Sequence, residues 1–170
     1  MRSSGRFCFI RCFMAKIFEK VTEFFQSEKW KFATVQDQPI LRMGFSGQNG
    51  NWTCFAQARE EEQQFIFYSV LPNNALDAKR PAIAEFITRA NYNLVVGNFE
   101  LDYTDGEIRY KTSMNLANVE VTHPLLHGLI APNIFTTDRF FPGVTAVLFA
   151  NATPTEAIEL VRNPQPPTES

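Results

Sequence analysis

The dipeptide Asp105-Gly106, set between two runs of alternating apolar and polar residues, constrains this chain more than any other feature. Both central positions of a two-residue type I′ turn need a positive φ, and Asp-Gly satisfies that need. If these two residues form the loop, Thr104 pairs with Glu107 and every other cross-strand pair follows. Residues 89–114 are therefore predicted to contain a helix end and a β-hairpin whose register is set by its turn.

The predicted register gives this hairpin one apolar face and one charged face. On the apolar face, Phe99 lies opposite Thr112, Leu101 opposite Tyr110 and Tyr103 opposite Ile108. On the other face, Glu100 lies opposite Lys111 and Asp102 opposite Arg109. A slip of one residue would bury these charges. Because the charges pair with opposite signs, we interpret them as a solvated sheet face and not as a binding patch.

The composition is that of one ordinary globular domain. The chain has 170 residues, of which 45% are hydrophobic and 20% are charged. Seventeen phenylalanines can fill a core and leave apolar surface over for a partner. A net charge of −2 and a pI near 5.7 argue against a general nucleic-acid binder. No apolar run is long enough to predict a membrane-spanning helix.

The two ends of the chain differ in composition from the rest. Residues 1–13 are basic and aromatic, and a second Met at position 14 opens directly into an amphipathic helix. We interpret residues 1–13 as a disordered or non-native extension, with a membrane-touching or partner-touching arm as the alternative. Residues 163–170 carry three prolines and are predicted to be a disordered tail. The predicted domain covers residues 14–162.

The three cysteines suggest neither a metal site nor a disulfide framework. Cys8, Cys12 and Cys54 show no CxxC spacing, and their odd number argues against paired thiols. Cys54 falls in a predicted strand and has no neighbouring residue that would activate a nucleophile. We therefore predict a reducing, cytoplasmic location and a buried strand thiol.

Hydrophobic periodicity predicts an α+β fold. Apolar residues at helical spacing predict a first helix from Ala15 to about Trp30. Three strands are predicted at residues 39–46, 51–59 and 64–71, and a second helix beginning between residues 77 and 81. After the hairpin, Pro132 and Pro142 are expected to divide a region that begins at Thr122 into separate helical pieces, and a last short helix follows. The predicted order is α-β-β-β-α-β-β-α-(α), with helices packed on an antiparallel sheet of about five strands.

Several segments of the chain resemble the YbjN family of bacterial sensory transduction regulators. They are residues 69–72 (SVLP), 86–94 (FITRANYNL), 97–102 (GNFELD), 105–113 (DGEIRYKTS) and 138–142 (DRFFP). The resemblance covers about Ala15 to Arg162. It implies a fold like that of type III secretion chaperones and a small dimerising protein that binds other proteins. It implies no enzymatic activity and offers no active-site residues to carry over.

Histidines at positions 123 and 127 are the sharpest candidates for chemistry. At this spacing on a helix, both imidazoles would point the same way, as they do in metal sites. Pro124 stands where an HExxH motif has its glutamate, so a third ligand would have to come from Glu120 or Asp138. We favour two partly exposed, hydrogen-bonded histidines at a helix start, and we predict no metal, no cofactor and no catalytic residue. Residues 60–62, three consecutive glutamates, are interpreted as a solvated turn.

A binding module is the function that the sequence favours. Five apolar residues of the C-terminal helical region form a predicted partner or dimer surface: Phe140, Phe141, Val144, Val147 and Leu148. The alternative is that this helix simply closes the core, and an open sheet edge is a further route to binding. We predict a non-enzymatic protein-binding or regulatory module, chaperone-like or acting in signalling or the stress response. Its partner would be another protein or a second copy in a homodimer, with no nucleic acid and no membrane span. A small-molecule sensor domain is the alternative, and a metal-dependent enzyme using His123 and His127 is less favoured.

Overall fold

The computed structural model describes residues 17–163, which form a six-stranded antiparallel sheet with helices on one face. The elements are α1 (Ile17–Ser27), β1 (Ala33–Thr34), β2 (Ile40–Ser46), β3 (Asn51–Arg59), β4 (Gln64–Val70), α2 (Arg80–Asn91), β5 (Asn98–Leu101), β6 (Ile108–Asn115), α3 (His123–Phe149) and α4 (Pro154–Arg162). The strand order is β1-β2-β3-β4-β6-β5. The predicted α+β class is confirmed. The sixth strand is β1, whose two residues are too few to show a periodic pattern.

Helix α1 forms where the apolar spacing predicts it, and it ends at Ser27, three residues before the predicted end at about Trp30. Ile17, Val21, Phe24 and Phe25 are buried against the sheet. Its first turn is capped from another part of the chain, because the carboxylate of Glu60 accepts hydrogen bonds from the backbone N–H of Ile17 and Phe18, at 3.1 and 2.9 Å. Glu60 is therefore a structural residue and not part of a merely solvated turn, since it satisfies donors that a helix start leaves unpaired.

The β5–β6 hairpin forms, but its predicted register is wrong by two residues. Phe99 pairs with Tyr110 and Glu100 pairs with Arg109. A shift of two preserves the side-chain faces, because side chains alternate with a period of two. Phe99 and Tyr110 are accordingly buried, and Arg109 still lies on the charged face. Tyr103, predicted on the apolar face, lies instead in the loop and is 56% exposed.

The longer loop explains the shifted register. Gly106 donates its N–H to the carbonyl of Asp102 at 2.8 Å, which closes a wider turn than the type I′ turn predicted. The Asp102 side chain accepts the N–H of Thr104, and the Asp105 side chain accepts that of Glu107. These local Asx bonds stabilise the loop without positive φ at Asp105, and only Gly106 has one, at 81°.

Helix α3 is one continuous helix of 27 residues, and the predicted break at its two interior prolines, Pro132 and Pro142, is wrong. A proline inside a helix lacks the N–H that would bond to the carbonyl four residues earlier. For Pro142 that carbonyl belongs to Asp138, and the Asn49 side chain donates to it at 3.1 Å. Near Pro132, the hydroxyl of Thr112 donates to the Leu129 carbonyl at 3.1 Å. Side chains from the β2–β3 turn and from β6 thus bond to helix carbonyls beside both interior prolines.

The core has two apolar clusters with a buried polar network near the middle of the sheet. One cluster lies between α1, the first half of α3 and strands β2 to β4, and the other between α2, α4, the second half of α3 and the hairpin. In the network, Asn133 of α3 donates to the Phe67 carbonyl at 3.1 Å and accepts the Ser69 hydroxyl at 2.6 Å. Trp52 donates its indole N–H to the same Ser69. The network fixes α3 over the central strands, because its buried polar atoms would otherwise lose their hydrogen bonds.

Candidate functional site

Three residues of the predicted partner surface lie in the core. Phe140, Val144 and Val147 pack against α2 and α4, and Phe141 and Leu148 are half-buried at the margin. The close packing there depends on Gly143, where an added Cβ would lie 2.7 Å from the Phe86 ring. The structure thus favours the alternative that this face of α3 closes the core, so these five residues form no continuous surface in the described chain.

The outward face of α3 instead exposes two phenylalanines. Phe135 is 72% exposed and Phe149 is 63% exposed. Fourteen residues apart on one helix, they lie on roughly the same face, separated by about 21 Å along the axis. A groove of ≈ 480 Å³ lies next to Phe149 and is lined by Asn49, Phe141, Pro142, Thr145, Ala146, Phe149 and Ala150. We call Phe135, Phe149 and this lining the α3 outer surface.

One wall of the groove is the β2–β3 turn, which is fastened to α3. The backbone N–H of Asn49 donates to the Asp138 carboxylate at 2.9 Å, in addition to the side-chain bond to the Asp138 carbonyl. The turn lies so close to the helix that a Cβ on Gly50 would be 2.4 Å from the Phe141 ring. The groove is therefore built by defined contacts that span 89 residues of sequence.

The sequence reasoning missed Phe135 and Phe149 because it divided α3 at its prolines. On a continuous helix, residues 135, 142, 146 and 149 recur at spacings that place them on one face. The helical period places Phe135 and Phe149 on one face, but only if α3 is a single unbroken helix.

The two histidines form part of a contact between α1 and α3. His123 lies 2.8 Å from the Glu28 carboxylate, and its ring packs on Phe24 with centroids 4.6 Å apart. The rings of His123 and His127 are stacked with centroids 6.5 Å apart. Asp138, a proposed third ligand, is bonded to Asn49 instead. Among residues 17–163, no three His, Cys, Asp or Glu side chains are grouped as a metal site would require.

The thiol of Cys54 is fully buried beneath the helices, as the strand pattern predicted. Burial raises the pKa of this thiol to about 12. Its sulfur lies 3.5 Å from the Ser69 hydroxyl, at the edge of the polar network. At neutral pH the group is protonated, and a protonated buried thiol is a poor nucleophile.

Both edges of the sheet are poorly suited to strand addition. At one edge β1 contributes only two residues. At the other, the side chain of Asn91 from α2 bonds to the backbone of β5. Short or covered edges prevent a second chain from pairing there. Within the part of the chain that the structure describes, no helix is long and apolar enough to cross a bilayer.

One family model matches this chain, and several solved structures resemble its fold. Residues 18–146 match the model of the YbjN family, described as "Putative bacterial sensory transduction regulator". The crystal structure of YbjN from E. coli is 11% identical with a TM-score of 0.56, over 79% of this chain and 90% of that one. A chain of the ExsC-ExsE complex is 10% identical with a TM-score of 0.54, over 76% and 93%. A chain of the HopA1-SchA chaperone-effector complex is 12% identical with a TM-score of 0.46, over 70% and 89%. No curated protein matches the chain in sequence.

Proposed function

The chain belongs to the YbjN family, and on that basis we propose that it is a non-enzymatic protein-binding module with a regulatory or chaperone-like role in the cytoplasm. The family's description as a sensory transduction regulator supports a regulatory role. The likeness of fold to a chain that was crystallised in the ExsC-ExsE complex supports a protein as the partner. The proposed unit is the domain of residues 14–162; the proposed extension at residues 1–13 lies outside the described residues.

The α3 outer surface is the observation that carries this proposal. Fully burying one phenylalanine side chain contributes about 1.5–3 kcal/mol, so Phe135 and Phe149 together could supply much of the energy of a moderate complex. The groove beside Phe149 is lined mainly by apolar side chains, among them Phe141, Pro142 and Ala146. The ligand that we propose for this surface is an amphipathic helix of a partner protein, because a long helix with spaced apolar anchors suits helix-on-helix docking.

Among residues 17–163, the candidate reactive side chains are not assembled into a site, which supports the non-enzymatic part of the proposal. The Cys54 thiol is buried and protonated at neutral pH. His123 pairs with Glu28 and packs on Phe24, so its ring already has a structural role. An enzyme would need a nucleophile or base facing a cleft together with a group that orients it.

The test is to capture partners with the full chain and with a double variant. Phe135→Ser with Phe149→Ser should reduce the recovered partner by about tenfold or more, since each loss removes an apolar anchor. Tyr103→Ser is the matched control, because Tyr103 is also an exposed aromatic but lies in the β5–β6 loop. Thermal unfolding checks that all variants fold, and light scattering measures oligomeric state. Equal recovery with the double variant, or a monomer that retains no partner, would contradict the proposal.

A further inference from the structure

The sheet face that points away from the helices is uncovered in the described chain and is rich in basic side chains. On β2 to β6, alternate residues point to this face, and most are half-buried. Its strand positions carry four basic residues, Arg42, Arg59, Arg109 and Lys111, and one acidic residue, Glu100. This excess of positive charge contrasts with the net charge of −2 for the whole chain.

The strand register aligns two aromatic rings between two cations in a single row. Arg42 pairs with Phe55, and Phe55 pairs in turn with Tyr68. Tyr68 pairs with Lys111 on the next strand. The row crosses four adjacent strands and is about 14 Å long, because neighbouring strands lie about 4.8 Å apart. We call these four residues the transverse row.

The charges of the row are only partly neutralised within the protein. Lys111 and Arg109 both contact the single carboxylate of Glu100. Arg42, at the other end, is exposed and has no hydrogen-bond or ion-pair partner among residues 17–163. Glu107 also contacts Arg109 at 3.4 Å, and Glu62 contacts Arg59 at 2.6 Å. The positive surplus that a ligand could neutralise therefore comes from the unpaired guanidinium of Arg42.

Apolar residues flank the row and make the face partly hydrophobic. Ile66 and Val70 stand beside Tyr68 on β4 and are half-buried. A shallow groove of ≈ 330 Å³ lies next to the row and includes Ile66, Tyr68 and Lys111 in its lining. A ligand that matches this face must therefore offer apolar contacts in the middle and negative charge at the ends.

We propose that the open sheet face binds an acidic amphipathic segment of a partner protein. Its apolar side chains would cover Phe55 and Ile66, and its carboxylates would pair with Arg42 and Lys111. Single-stranded nucleic acid fits less well, because bases need an open ring to stack on and Arg109 already lies 4.6 Å from the centre of the Tyr68 ring. This face is separate from the α3 outer surface, so either proposal can fail alone.

The test uses a fluorescein-labelled amphipathic peptide of about 16 residues, with leucine on one helical face and glutamate on the other. Fluorescence anisotropy with the full chain should show saturable binding that weakens as salt is added. Arg42→Glu should weaken it about tenfold by reversing an exposed charge, and Phe55→Ser should weaken it by removing an apolar contact. Tyr103→Ser is the control that should leave the affinity unchanged, because Tyr103 is an exposed aromatic that belongs to neither proposed surface.

Four results would overturn the assignment. They are no binding of the acidic peptide, equal binding of a peptide with lysine in place of glutamate, an affinity that Arg42→Glu does not change, and tighter binding of a labelled oligothymidine that Arg42→Glu abolishes. The last would assign the face to nucleic acid. Light scattering measures the oligomeric state and gives a fifth result that would overturn the assignment. If the protein were a dimer and Arg42→Glu converted it to a monomer, the face would bind a second copy of the chain.

Discussion

The side-chain amide of Asn91 makes with Phe99 the two hydrogen bonds that a neighbouring strand would make. Its Nδ2 donates to the Phe99 carbonyl at 3.0 Å, and its Oδ1 accepts the Phe99 N–H at 2.7 Å. The amide lies at the end of α2 and occupies the outer edge of β5. A primary amide has the same donor and acceptor as a peptide group, so one side chain closes this edge without another strand.

Replacing Asn91 by Ala should destabilise the fold and open the edge. Two partly buried backbone groups of Phe99 would lose their partners, at a cost of about 1–3 kcal/mol. Urea unfolding measures this cost, and hydrogen exchange at Phe99 reports the opening directly. Asn93→Ala is the control, because Asn93 is exposed in the loop that follows. Equal exchange at Phe99 in both variants would show that Asn91 does not protect the edge.

Replacing Glu60 by Ala should weaken the start of α1. The two N–H groups that donate to Glu60 would have only water as a hydrogen-bond partner. Loss of a helix cap costs about 0.5–2 kcal/mol. Glu61→Ala offers a control one residue away, where the side chain is exposed. Chemical denaturation of both variants should show a loss for Glu60→Ala and a change within about 0.5 kcal/mol for Glu61→Ala. A similar loss in both would indicate a general charge effect.

Two glycine-to-alanine substitutions should change the stability of the fold in opposite directions. Gly106 has a φ of 81°, and a Cβ there would lie 2.0 Å from the Ala75 carbonyl oxygen, so Gly106→Ala should cost about 2–3 kcal/mol. Gly128 lies in helical backbone with nothing near its absent Cβ, so Gly128→Ala should stabilise the protein by about 0.5–1 kcal/mol. Thermal unfolding of the two variants measures both changes in stability. A stabilising Gly106→Ala would contradict the loop geometry described above.

The hydrogen bond between Ser69 and Asn133 should appear as an energetic coupling. The two side chains meet at 2.6 Å in a fully buried position. In a double-mutant cycle with Ser69→Ala and Asn133→Ala, we expect an interaction energy of about 1 kcal/mol or more. Ser69→Ala combined with Thr88→Ala, on the exposed side of α2, should be additive within about 0.5 kcal/mol. Additivity in both cycles would mean that the pair is not coupled.

Acid should destabilise the hairpin through Glu100. Burial acts to raise the pKa of Glu100, but hydrogen bonds and charge from Lys111 and Arg109 outweigh it and hold this pKa below the ordinary value for glutamate. The folded-state pKa is depressed, so the contribution to stability is present above the unfolded pKa and is lost as pH falls through the folded one. Glu100→Gln should therefore flatten the acid limb of a plot of melting temperature against pH. If the curves of the original protein and of Glu100→Gln ran parallel at acid pH, the prediction would be contradicted. Near neutral pH the two curves are expected to run parallel.

Local patterns in the sequence predicted much of the sheet. Alternation and polar turns located β3 and β4 to within a residue, because a hairpin with a short loop is defined by neighbouring residues. The faces of β5 and β6 were also correct, since an error of two residues leaves them unchanged. The register itself was missed because the side chains of Asp102 and Asp105 stabilise a wider loop than the dipeptide suggests.

The features that the sequence did not reveal depend on contacts between distant residues. Helix α3 passes through Pro142 because Asn49, far away in the chain, bonds to the carbonyl that the proline leaves unpaired. The transverse row takes one residue from each of four strands, so no window of sequence contains it. Candidate binding surfaces were accordingly harder to predict than helices and strands. A surface depends on the strand register and on which side chains the rest of the chain leaves exposed.

The two interior prolines of α3 also bear on the order in which the protein folds. An isolated segment of residues 123–149 would lack the donors that Asn49 and Thr112 provide, so its middle turns would be weak in the unfolded chain. Those donors come from the β2–β3 turn and from β6, which must be in place first. We therefore expect the longest helix to be completed late, on a sheet that has already assembled, although helices usually form early.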